Sequence, residues 1–323
     1  MSFYLDNPLN KDLALQAWQK IQQANNITLL THRFPDADGI SACAALAEIL
    51  VAEGKKIEVI YPTQPELHIP RQPENVLINQ HVQQPDLIII CDTANRDRAY
   101  LPAEFNGVVT INLDHHISNS IKADYDFVDG MVSSACEVVY YFLQHGNYLK
   151  LPKKVADCLL FGMVYDTQVF QIPSTAPSTL RIAAALIESG AVLVDLIAEL
   201  QLHRSPQIVT FWGKLLSMAS YNENKTAVWV SVSCLLLEEH GLDFFAITGL
   251  SNFLASIAGV DIVAIFQELP ANKFGGTKIS LRSKKADVNA LAQLFGGGGH
   301  RNAAGVTMAL SLDEAVLLVT KYF

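Results

Sequence analysis

Short apolar runs alternate with longer helical patterns through the first half of this chain, and this alternation constrains the fold more than any other feature. It predicts strands near residues 27–31, 57–61, 87–91 and 108–113. Between the first two strands, apolar side chains from Gly39 to Ala52 recur at helical spacing and predict a crossover helix. Strands that alternate with helices form parallel β-α-β units. We therefore expect an α/β fold with an N-terminal Rossmann-like parallel sheet and flanking helices.

The second half of the chain has a different pattern, which indicates a second, smaller α+β domain. Helical patterns come first, at 153–164, 176–189, 192–202 and 206–220. Strands are then predicted near 226–233, 260–269, 277–283 and 303–310. Further helices are predicted at 243–256, 287–295 and 312–322. The expected organisation is a catalytic domain (1–190), a helical connector (191–220) and a substrate-binding domain (221–323).

Composition and charge argue against several functional classes. The chain has 323 residues, half of them hydrophobic, which is enough to bury the cores of two domains. Its formal net charge of -9 argues against binding to long duplex nucleic acid, because proteins of that class carry a basic face. The five cysteines form no C-x-x-C pair, so neither a disulfide framework nor a thiolate zinc site is expected. The polar N-terminus and the lack of an apolar run of about 18 residues predict a cytoplasmic protein without a membrane span.

Acidic residues and histidines follow apolar runs at four places in the first domain. The segments are HRFPDADG (32–39), CDT (91–93), LDHH (113–116) and YDT (165–167). Ligands of an open α/β sheet bind outside the carboxyl ends of its strands, so we expect these segments to meet at one edge. Carboxylates and imidazoles without a thiolate suit Mn²⁺, with Mg²⁺ or Co²⁺ as alternatives. Six such groups exceed the needs of one ion, and we expect two divalent ions that serve hydrolysis of a phosphate ester.

These motifs, followed by GGGGHRNAAG at 296–305, resemble those of the DHH-family phosphoesterases with a DHH-associated C-terminal domain. The resemblance covers nearly the whole chain and is closest to the bacterial branch that hydrolyses very short RNA (nano-RNA) and dephosphorylates 3′-phosphoadenosine 5′-phosphate (pAp). It implies that one ion is held by His32, Asp36 and Asp92, and the other by Asp38, Asp92, His115 and Asp166. It also implies that His116 donates to the phosphate or the leaving oxygen, and that Asp114 orients a histidine.

Substrate recognition is expected to come from the second domain, with the active site in the interdomain cleft. The resemblance implies a nucleotide-contacting loop that includes Gly298, Gly299 and His300, since glycines permit close approach of backbone N–H groups to an anion. Arg282 is the preferred phosphate ligand, because a guanidinium binds phosphate through two parallel hydrogen bonds. Arg98 is a weaker candidate for a phosphate ligand, and Arg96 is the alternative to Arg98 for this role. Other basic residues nearby have no assigned role: Lys273, Lys278, Lys284 and Lys285.

The sequence leaves some alternatives open. Short RNA and nucleotide phosphates are the expected substrates, but the linear dinucleotide pApA or a cyclic dinucleotide fits the same chemistry. A RecJ-like exonuclease or a pyrophosphatase fits less well, because the chain lacks room for strand-gripping domains and carries the GGGGH segment. A catalytically silent nucleotide-binding regulatory module is the alternative from another class. The Asp36-Ala37-Asp38 sequence departs from the D-G-D form common in the nano-RNase branch but keeps both acids. A homodimer is possible on this sequence.

Overall fold

The computed structural model describes residues 7–65, 72–200, 205–270 and 275–323, so that Lys273 lies outside the described residues. The chain divides into two compact units, Met1–His203 and Arg204–Phe323. This division falls inside the stretch that was predicted to connect two domains. Helix α6 (Leu193–Leu200) packs in the core of the first unit through Leu196, whereas α7 (Pro206–Ser217) packs in that of the second through Phe211.

The first unit is a parallel α/β sheet, as predicted. Its strands are β1 (Asn26–Leu30), β2 (Lys56–Tyr61), β3 (Leu77–Ile78), β4 (Leu87–Cys91), β5 (Val109–Asp114) and β6 (Tyr125–Val128). They pair in the order β3-β2-β1-β4-β5-β6, and every pair is parallel. The other helices of this unit are α1 (Lys11–Gln23), α2 (Ala37–Ala52), α3 (Ala135–His145), α4 (Lys153–Asp166) and α5 (Pro177–Glu188). The four predicted strands lie within one residue of β1, β2, β4 and β5 at each end, whereas β3, β6 and α1 were not predicted.

The two faces of this sheet have different cores. Successive residues of a strand point to opposite faces, so β4 sends Ile89 to one core and Ile88 to the other. The larger core contains the buried faces of helices α1 to α6. On the opposite face, Ile88 packs with Phe105 and Ile121, which belong to the segments around β5 rather than to an α-helix. All five residues of β4 are therefore buried.

The strand order reverses between β1 and β4. The chain passes from β1 to β2 on one side of the sheet and then returns to β4 on the other side of β1. The carboxyl ends of two such neighbouring strands diverge, and the crevice between them is the usual ligand site of an open α/β sheet. His32 follows β1 and Asp92 follows β4, so the topology brings the first and second predicted motifs to this crevice.

Helix α3 begins after Ser134, and only half of the capping box that its sequence predicts is formed. The spacing of Ser134 and Glu137 predicts a reciprocal capping box. The Ser134 hydroxyl does accept a hydrogen bond from the backbone N–H of Glu137 (3.1 Å). The Glu137 carboxylate, however, accepts from the backbone N–H and hydroxyl of Ser133 and from the hydroxyl of Thr179. It therefore ties the turn before α3 to α5.

The second unit is a mixed sheet with helices on both faces. Its strands are β7 (Ser220–Tyr221), β8 (Ala227–Val232), β9 (Ile262–Glu268), β10 (Thr277–Ser283), β11 (Gly298–His300) and β12 (Ala303–Met308). They pair in the order β11-β12-β10-β9-β8-β7, antiparallel except for β8 with β9. The remaining helices are α8 (Cys234–Glu239), α9 (Leu250–Ala255), α10 (Val288–Gln293) and α11 (Leu312–Val319). Within the described ranges, no helix of either unit is long and apolar enough to cross a membrane.

The helix predicted at 243–256 is wrong as a single element. The segment forms a 3₁₀ turn, Phe244–Ile247, followed by α9. Gly249 separates them with φ at 85°, a left-handed conformation that glycine adopts without steric cost and that ends a right-handed helix. The apolar periodicity continues through both pieces, which explains why the sequence pattern did not reveal the break.

Two glycines in helix interiors provide a test of the packing. A Cβ on Gly162 in α4 would lie 2.4 Å from Cys136 Sγ and 2.8 Å from Asp38 Oδ1, whereas Gly213 in α7 has no heavy atom within 4 Å of that position. Gly213→Ala should therefore raise the free energy of unfolding by about 0.5–1 kcal/mol, the usual gain for a helix interior. Gly162→Ala should instead lower it by about 1–3 kcal/mol through overpacking. Chemical denaturation of the two variants measures both values, and a Gly162→Ala protein as stable as wild type would contradict the packing described for α4.

Candidate metal centre

Asp92 lies at the centre of the predicted metal ligands. It directly follows β4, is 2% exposed, and has φ at 51°, in the left-handed region that few residues other than Gly, Asn and Asp adopt. Its Oδ2 lies 3.4 Å from Nε2 of His32, and its Oδ1 lies 3.6 Å from Nε2 of His115. The two oxygens of one carboxylate thus face two different histidines, which is the arrangement that a bridging ligand requires.

The first group of ligand atoms comes from His32, Asp36 and Asp92, whose side chains converge within 4.8 Å of one another. His32 Nδ1 lies 2.8 Å from the carbonyl oxygen of Arg33, which directs the other ring nitrogen, Nε2, towards the two acids. Nε2 is 3.8 Å from Asp36 Oδ1. Asp36 also caps α2, because Oδ1 accepts hydrogen bonds from the backbone N–H groups of Asp38 and Gly39. The start of α2 therefore fixes this carboxylate.

The second group comes from Asp38, His115 and Asp166, which also converge within 4.8 Å. His115 Nε2 lies 3.5 Å from Asp166 Oδ2 and 4.0 Å from Asp38 Oδ2. Asp38 is completely buried, and its carboxylate accepts from the first backbone N–H groups of α3, those of Ala135 (2.6 Å) and Cys136 (3.0 Å). A helix N-terminus stabilises a negative charge at this position. With Asp92 Oδ1 facing His115, this group has four candidate ligands, one more than the first.

The distances within both groups fit small divalent cations. Two ligands that each lie about 2.1 Å from one ion are separated by roughly 3 Å when adjacent and up to about 4.2 Å when opposite. The separations between His and Asp ligand atoms given above, 3.4–4.0 Å, fall within this interval. The donors are carboxylate oxygens and imidazole nitrogens, a set that suits Mn²⁺, Mg²⁺ and related ions.

The pKa values reflect several acids buried together. Burial, followed by the neighbouring charge of Asp92, raises the pKa of Asp38 to about 7. Burial likewise raises the pKa of Asp166 well above its usual value. Burial also opposes the charge on Asp92, but hydrogen bonds from His115 and His32 outweigh it and hold the pKa of Asp92 well below its usual value. A cation in this position would favour the ionised form of all three acids.

His116 and Asp114 adjoin the cluster, and a ligand atom of each lies within 4.8 Å of those of Asp92 and His115. His116 Nδ1 lies 2.7 Å from Asp114 Oδ1 and 3.6 Å from Asp92 Oδ1. Asp114 Oδ1 also accepts from the backbone N–H of His115 (2.8 Å), and Oδ2 accepts from the side-chain amide of Asn119. Burial favours a neutral ring, but the hydrogen bond that the ring donates to Asp114 outweighs it and raises the pKa of His116, which favours the protonated ring. The carboxylate of Asp114 thus orients His116.

Arg98, and not Arg96, lies beside the candidate metal ligands. Both arginines belong to the short 3₁₀ turn Arg96–Arg98. Arg96 is exposed, whereas Arg98 is half-buried and its Nη2 lies 3.0 Å from Nδ1 of His32. An always-charged guanidinium next to the first ligand group is well placed for an anionic phosphate.

In the second unit, strand pairing aligns the predicted substrate residues. Arg282 of β10 and His300 of β11 both lie opposite Ala303 of β12, and paired residues of antiparallel strands occupy one row across the sheet. Two residues further along β12, Gly298 and Ser280 both lie opposite Gly305. The guanidinium of Arg282 donates to Asn252 Oδ1 and to the carbonyl oxygen of Leu281. The side chain of His300 lies outside the described part of the structure.

The glycine run is not the loop that the resemblance implies. Gly298–His300 form the edge strand β11, and packing explains two of the glycines. A Cβ on Gly297 would lie 2.3 Å from the carbonyl oxygen of Gly305, and one on Gly299, where φ is 150°, would lie 2.5 Å from that of Ala303. A Cβ on Gly298 would meet nothing closer than 3.9 Å, so packing does not require glycine there.

Two features of this site were not predicted. Gln168, Val169 and Phe170, which follow Asp166 and Thr167, all have φ between 50° and 62°. Consecutive left-handed residues other than glycine are strained, and no glycine in the sequence announces the turn. The other feature is the hydrogen bond from Asn119 to Asp114. It was not predicted, because the sequence does not indicate which residue an asparagine in a loop will contact.

Comparisons with known proteins agree with this fold. A model of the DHH family N-terminal domain matches residues 26–163, and a model of the DHHA1 domain matches residues 226–323. The bifunctional oligoribonuclease and PAP phosphatase NrnA of Bacillus subtilis is 29% identical over 297 residues, which cover 89% of this chain and 91% of that protein.

Two crystal structures show the same fold. An exopolyphosphatase-related protein from Bacteroides fragilis has a TM-score of 0.88 and 23% identity, with coverage of 98% of this chain and 97% of that chain. Exonuclease RecJ bound to manganese has a TM-score of 0.53 and 19% identity, with coverage of 98% and 93%. The two domain matches lie one in each compact unit, in the order that the motifs predicted. Residues 26–163 therefore form a DHH family N-terminal domain, and residues 226–323 form a DHHA1 domain.

Proposed function

We propose that this protein is a metal-dependent phosphoesterase that hydrolyses short oligoribonucleotides to mononucleotides and removes a phosphate from pAp. The observation that carries the proposal is the pair of ligand groups that share Asp92, with His116 beside them. Such a centre suits hydrolysis of a phosphate ester. The substrate class is supported by the relative from Bacillus subtilis, which is named an oligoribonuclease and PAP phosphatase and aligns with 89% of this chain.

Two divalent ions are the proposed cofactors, most suitably Mn²⁺, with Mg²⁺ or Co²⁺ as substitutes. His32, Asp36 and Asp92 would hold one ion, and Asp38, Asp92, His115 and Asp166 the other. When bound, the ions supply an activated water and neutralise charge on the phosphoryl group. The choice of Mn²⁺ is supported by the oxygen and nitrogen ligand set and by RecJ, a structural neighbour bound to manganese.

The remaining residues have proposed tasks at defined atoms. His116, protonated and held at Nδ1 by Asp114, donates a proton from Nε2 to the leaving oxygen. Arg98 binds a non-bridging phosphate oxygen. In the second unit, Arg282 and His300 bind a terminal phosphate, while the backbone N–H groups of Gly298 and Gly299 lie against the nucleotide. The relevant substrates are short RNA and nucleotide phosphates, and the formal net charge of -9 argues against long duplexes.

A substrate panel tests the activity directly. With Mn²⁺, wild-type protein should release mononucleotides from di- to pentaribonucleotides and phosphate from pAp, and EDTA should abolish both reactions. Asp92→Asn keeps the shape of the side chain but removes the shared charge, and it should lower kcat by at least about 10²–10³-fold. Asp97→Asn changes an exposed carboxylate nearby and is the matched control. If the wild-type protein hydrolysed pApA alone, pApA would replace short RNA and pAp as the proposed substrate. A complete lack of metal-dependent turnover would favour a silent nucleotide-binding module.

Metal binding has a readout that does not depend on activity. A ligand that binds only the native state stabilises it, by about 2.7 kcal/mol at a concentration 100 times Kd. Added Mn²⁺ should therefore raise the Tm of the wild-type protein, and EDTA should reverse the change. The same addition should have little effect on Asp92→Asn, because this variant loses the carboxylate that faces both His32 and His115. Equal Tm shifts in the two proteins would show that the ions bind elsewhere.

Gly298 offers a test of the proposed nucleotide contact. Since the fold leaves space for a Cβ at this position, Gly298→Ala should keep the wild-type Tm, whereas Gly299→Ala should lower it. If Gly298 lies against the nucleotide, Gly298→Ala should raise KM for pAp roughly tenfold, which corresponds to about 1.4 kcal/mol of binding. Hydrolysis of bis(p-nitrophenyl) phosphate, which has no nucleoside, should not change. An unaltered KM for pAp would remove Gly298 from the substrate site.

A further inference from the structure

We propose that Asn119 is a positioning residue for the reaction: its side-chain amide fixes the Asp114 carboxylate and, through it, the ring of His116. The inference rests on the proposed function, in which His116 donates a proton to the leaving oxygen. Asn119 lies in the loop after β5, three residues beyond His116, and belongs to neither group of metal ligands.

The orientation of the Asn119 amide follows from its backbone contact. The N–H of Ile121 donates to Oδ1 at 2.9 Å, so this end of the side chain must be the oxygen. The nitrogen end then faces two acceptors, the carbonyl oxygen of Thr93 at 2.9 Å and Oδ2 of Asp114. Both hydrogens of the NH₂ group are therefore used, and the plane of the amide is fixed.

The Asp114 carboxylate is fixed in turn by three donors. Oδ1 accepts from the backbone N–H of His115 and from Nδ1 of His116, and Oδ2 accepts from Asn119. Asp114 is completely buried, so water does not replace a missing donor easily. With both oxygens held, the carboxylate cannot rotate about its Cβ–Cγ bond, and the direction of the His116 ring is set.

Asn119 also joins the two loops that carry the chemistry. Its contact with Thr93 reaches the residue directly after Asp92, at the end of β4, whereas its contact with Asp114 reaches the end of β5. From the sheet below, the buried Asn112 of β5 donates to Asn119 Oδ1 at 3.4 Å and to Asp126 Oδ1 at 3.2 Å. Asn119 therefore helps to fix the position of His116 relative to the proposed shared ligand Asp92.

An asparagine is the residue that meets these demands. The site requires one acceptor and two donors at the end of a short side chain, which aspartate and serine do not provide. Aspartate has the same shape but would set its carboxylate against that of Asp114, and two adjacent carboxylates repel each other. The order of two variants therefore separates the roles: if the donors matter, Asn119→Asp is worse than Asn119→Ala, and if only shape matters, Asn119→Asp is better.

The kinetic test compares two leaving groups in the presence of Mn²⁺. Asn119→Ala should lower kcat on a diribonucleotide by about 10–100-fold, the usual effect of removing a residue that orients a catalytic group. KM should stay near its wild-type value. On bis(p-nitrophenyl) phosphate, whose leaving group departs without a proton, the rate should change little. Asn119→Asp should lower kcat on the diribonucleotide further. Ser120→Ala is the control, because Ser120 is the adjacent residue and its hydroxyl donates to the carbonyl oxygen of Ala94 rather than to Asp114.

Two kinetic outcomes would overturn the proposal. One is a value of kcat for Asn119→Asp equal to or above that for Asn119→Ala. The other is an equal loss on both substrates, which would mean that the loop or the metal ligands have been disturbed. A wild-type protein that cleaves bis(p-nitrophenyl) phosphate but no nucleotide would instead count against the proposed function.

A second measurement tests the positioning in each of these cases. The His116 Nδ1–H that is bonded to Asp114 should give a far-downfield proton NMR resonance, identified by its absence in His116→Gln. It should persist in Ser120→Ala and be lost or shifted upfield in Asn119→Ala, with the other backbone resonances unchanged. An unchanged His116 resonance in Asn119→Ala would overturn the proposal even if the protein had no nucleotide substrate.

Discussion

The contact of one carboxylate with two histidines is the constraint on which the rest of the site depends. Asp92 must present one oxygen to His32 and the other to His115, and these histidines follow different strands. This is possible because β4 lies between β1 and β5 in the sheet, so that its end is the common neighbour of both. The left-handed φ of Asp92 turns the chain at the end of β4. Its strain, about 1–3 kcal/mol, is tolerated because the neighbouring strands are fixed on both sides.

Several buried acids within a few ångströms of one another require compensation, and the backbone supplies much of it. Asp36 accepts hydrogen bonds at the start of α2, and Asp38 accepts two at the start of α3. These N–H groups have no partner inside their own helices, so binding a carboxylate satisfies both sides. The close approach of these acids to the helices leaves no room for a side chain at two helix positions, which are occupied by glycine. A Cβ on Gly39 would lie 2.2 Å from Thr31 Oγ1 and 3.1 Å from Asp92 Oδ2, and Gly162 plays the same part where α4 passes Asp38.

The sequence was most informative where a local pattern has one structural meaning. A short β-branched run such as LIIIC favours a buried strand. A parallel sheet then brings the carboxyl ends of such strands to one edge, so the convergence of His32, Asp92 and His115 could be predicted. It was least informative where tertiary contacts decide. The sequence did not distinguish Arg98 from Arg96, because their directions depend on a single 3₁₀ turn. Nor did it show that the packing of β11 on β12 requires Gly297 and Gly299, because a run of glycines by itself indicates only backbone flexibility.

Asp92 and Asp114 show how surroundings give identical side chains different tasks. Each follows or ends a central strand, each is buried, and each contacts His116. The oxygens of Asp92 face the imidazole Nε2 atoms of His32 and His115, which are themselves proposed metal ligands, so a cation can replace the proton between them. The oxygens of Asp114 face an amide N–H, the NH₂ of Asn119 and Nδ1 of His116, and none of these groups except the ring can release its proton. A carboxylate whose donors keep their hydrogens cannot open towards a metal ion without leaving them unpaired in a buried site. The donors around each acid, rather than its place in a motif, therefore favour Asp92 as the proposed ligand and Asp114 as the residue that orients the proposed proton donor.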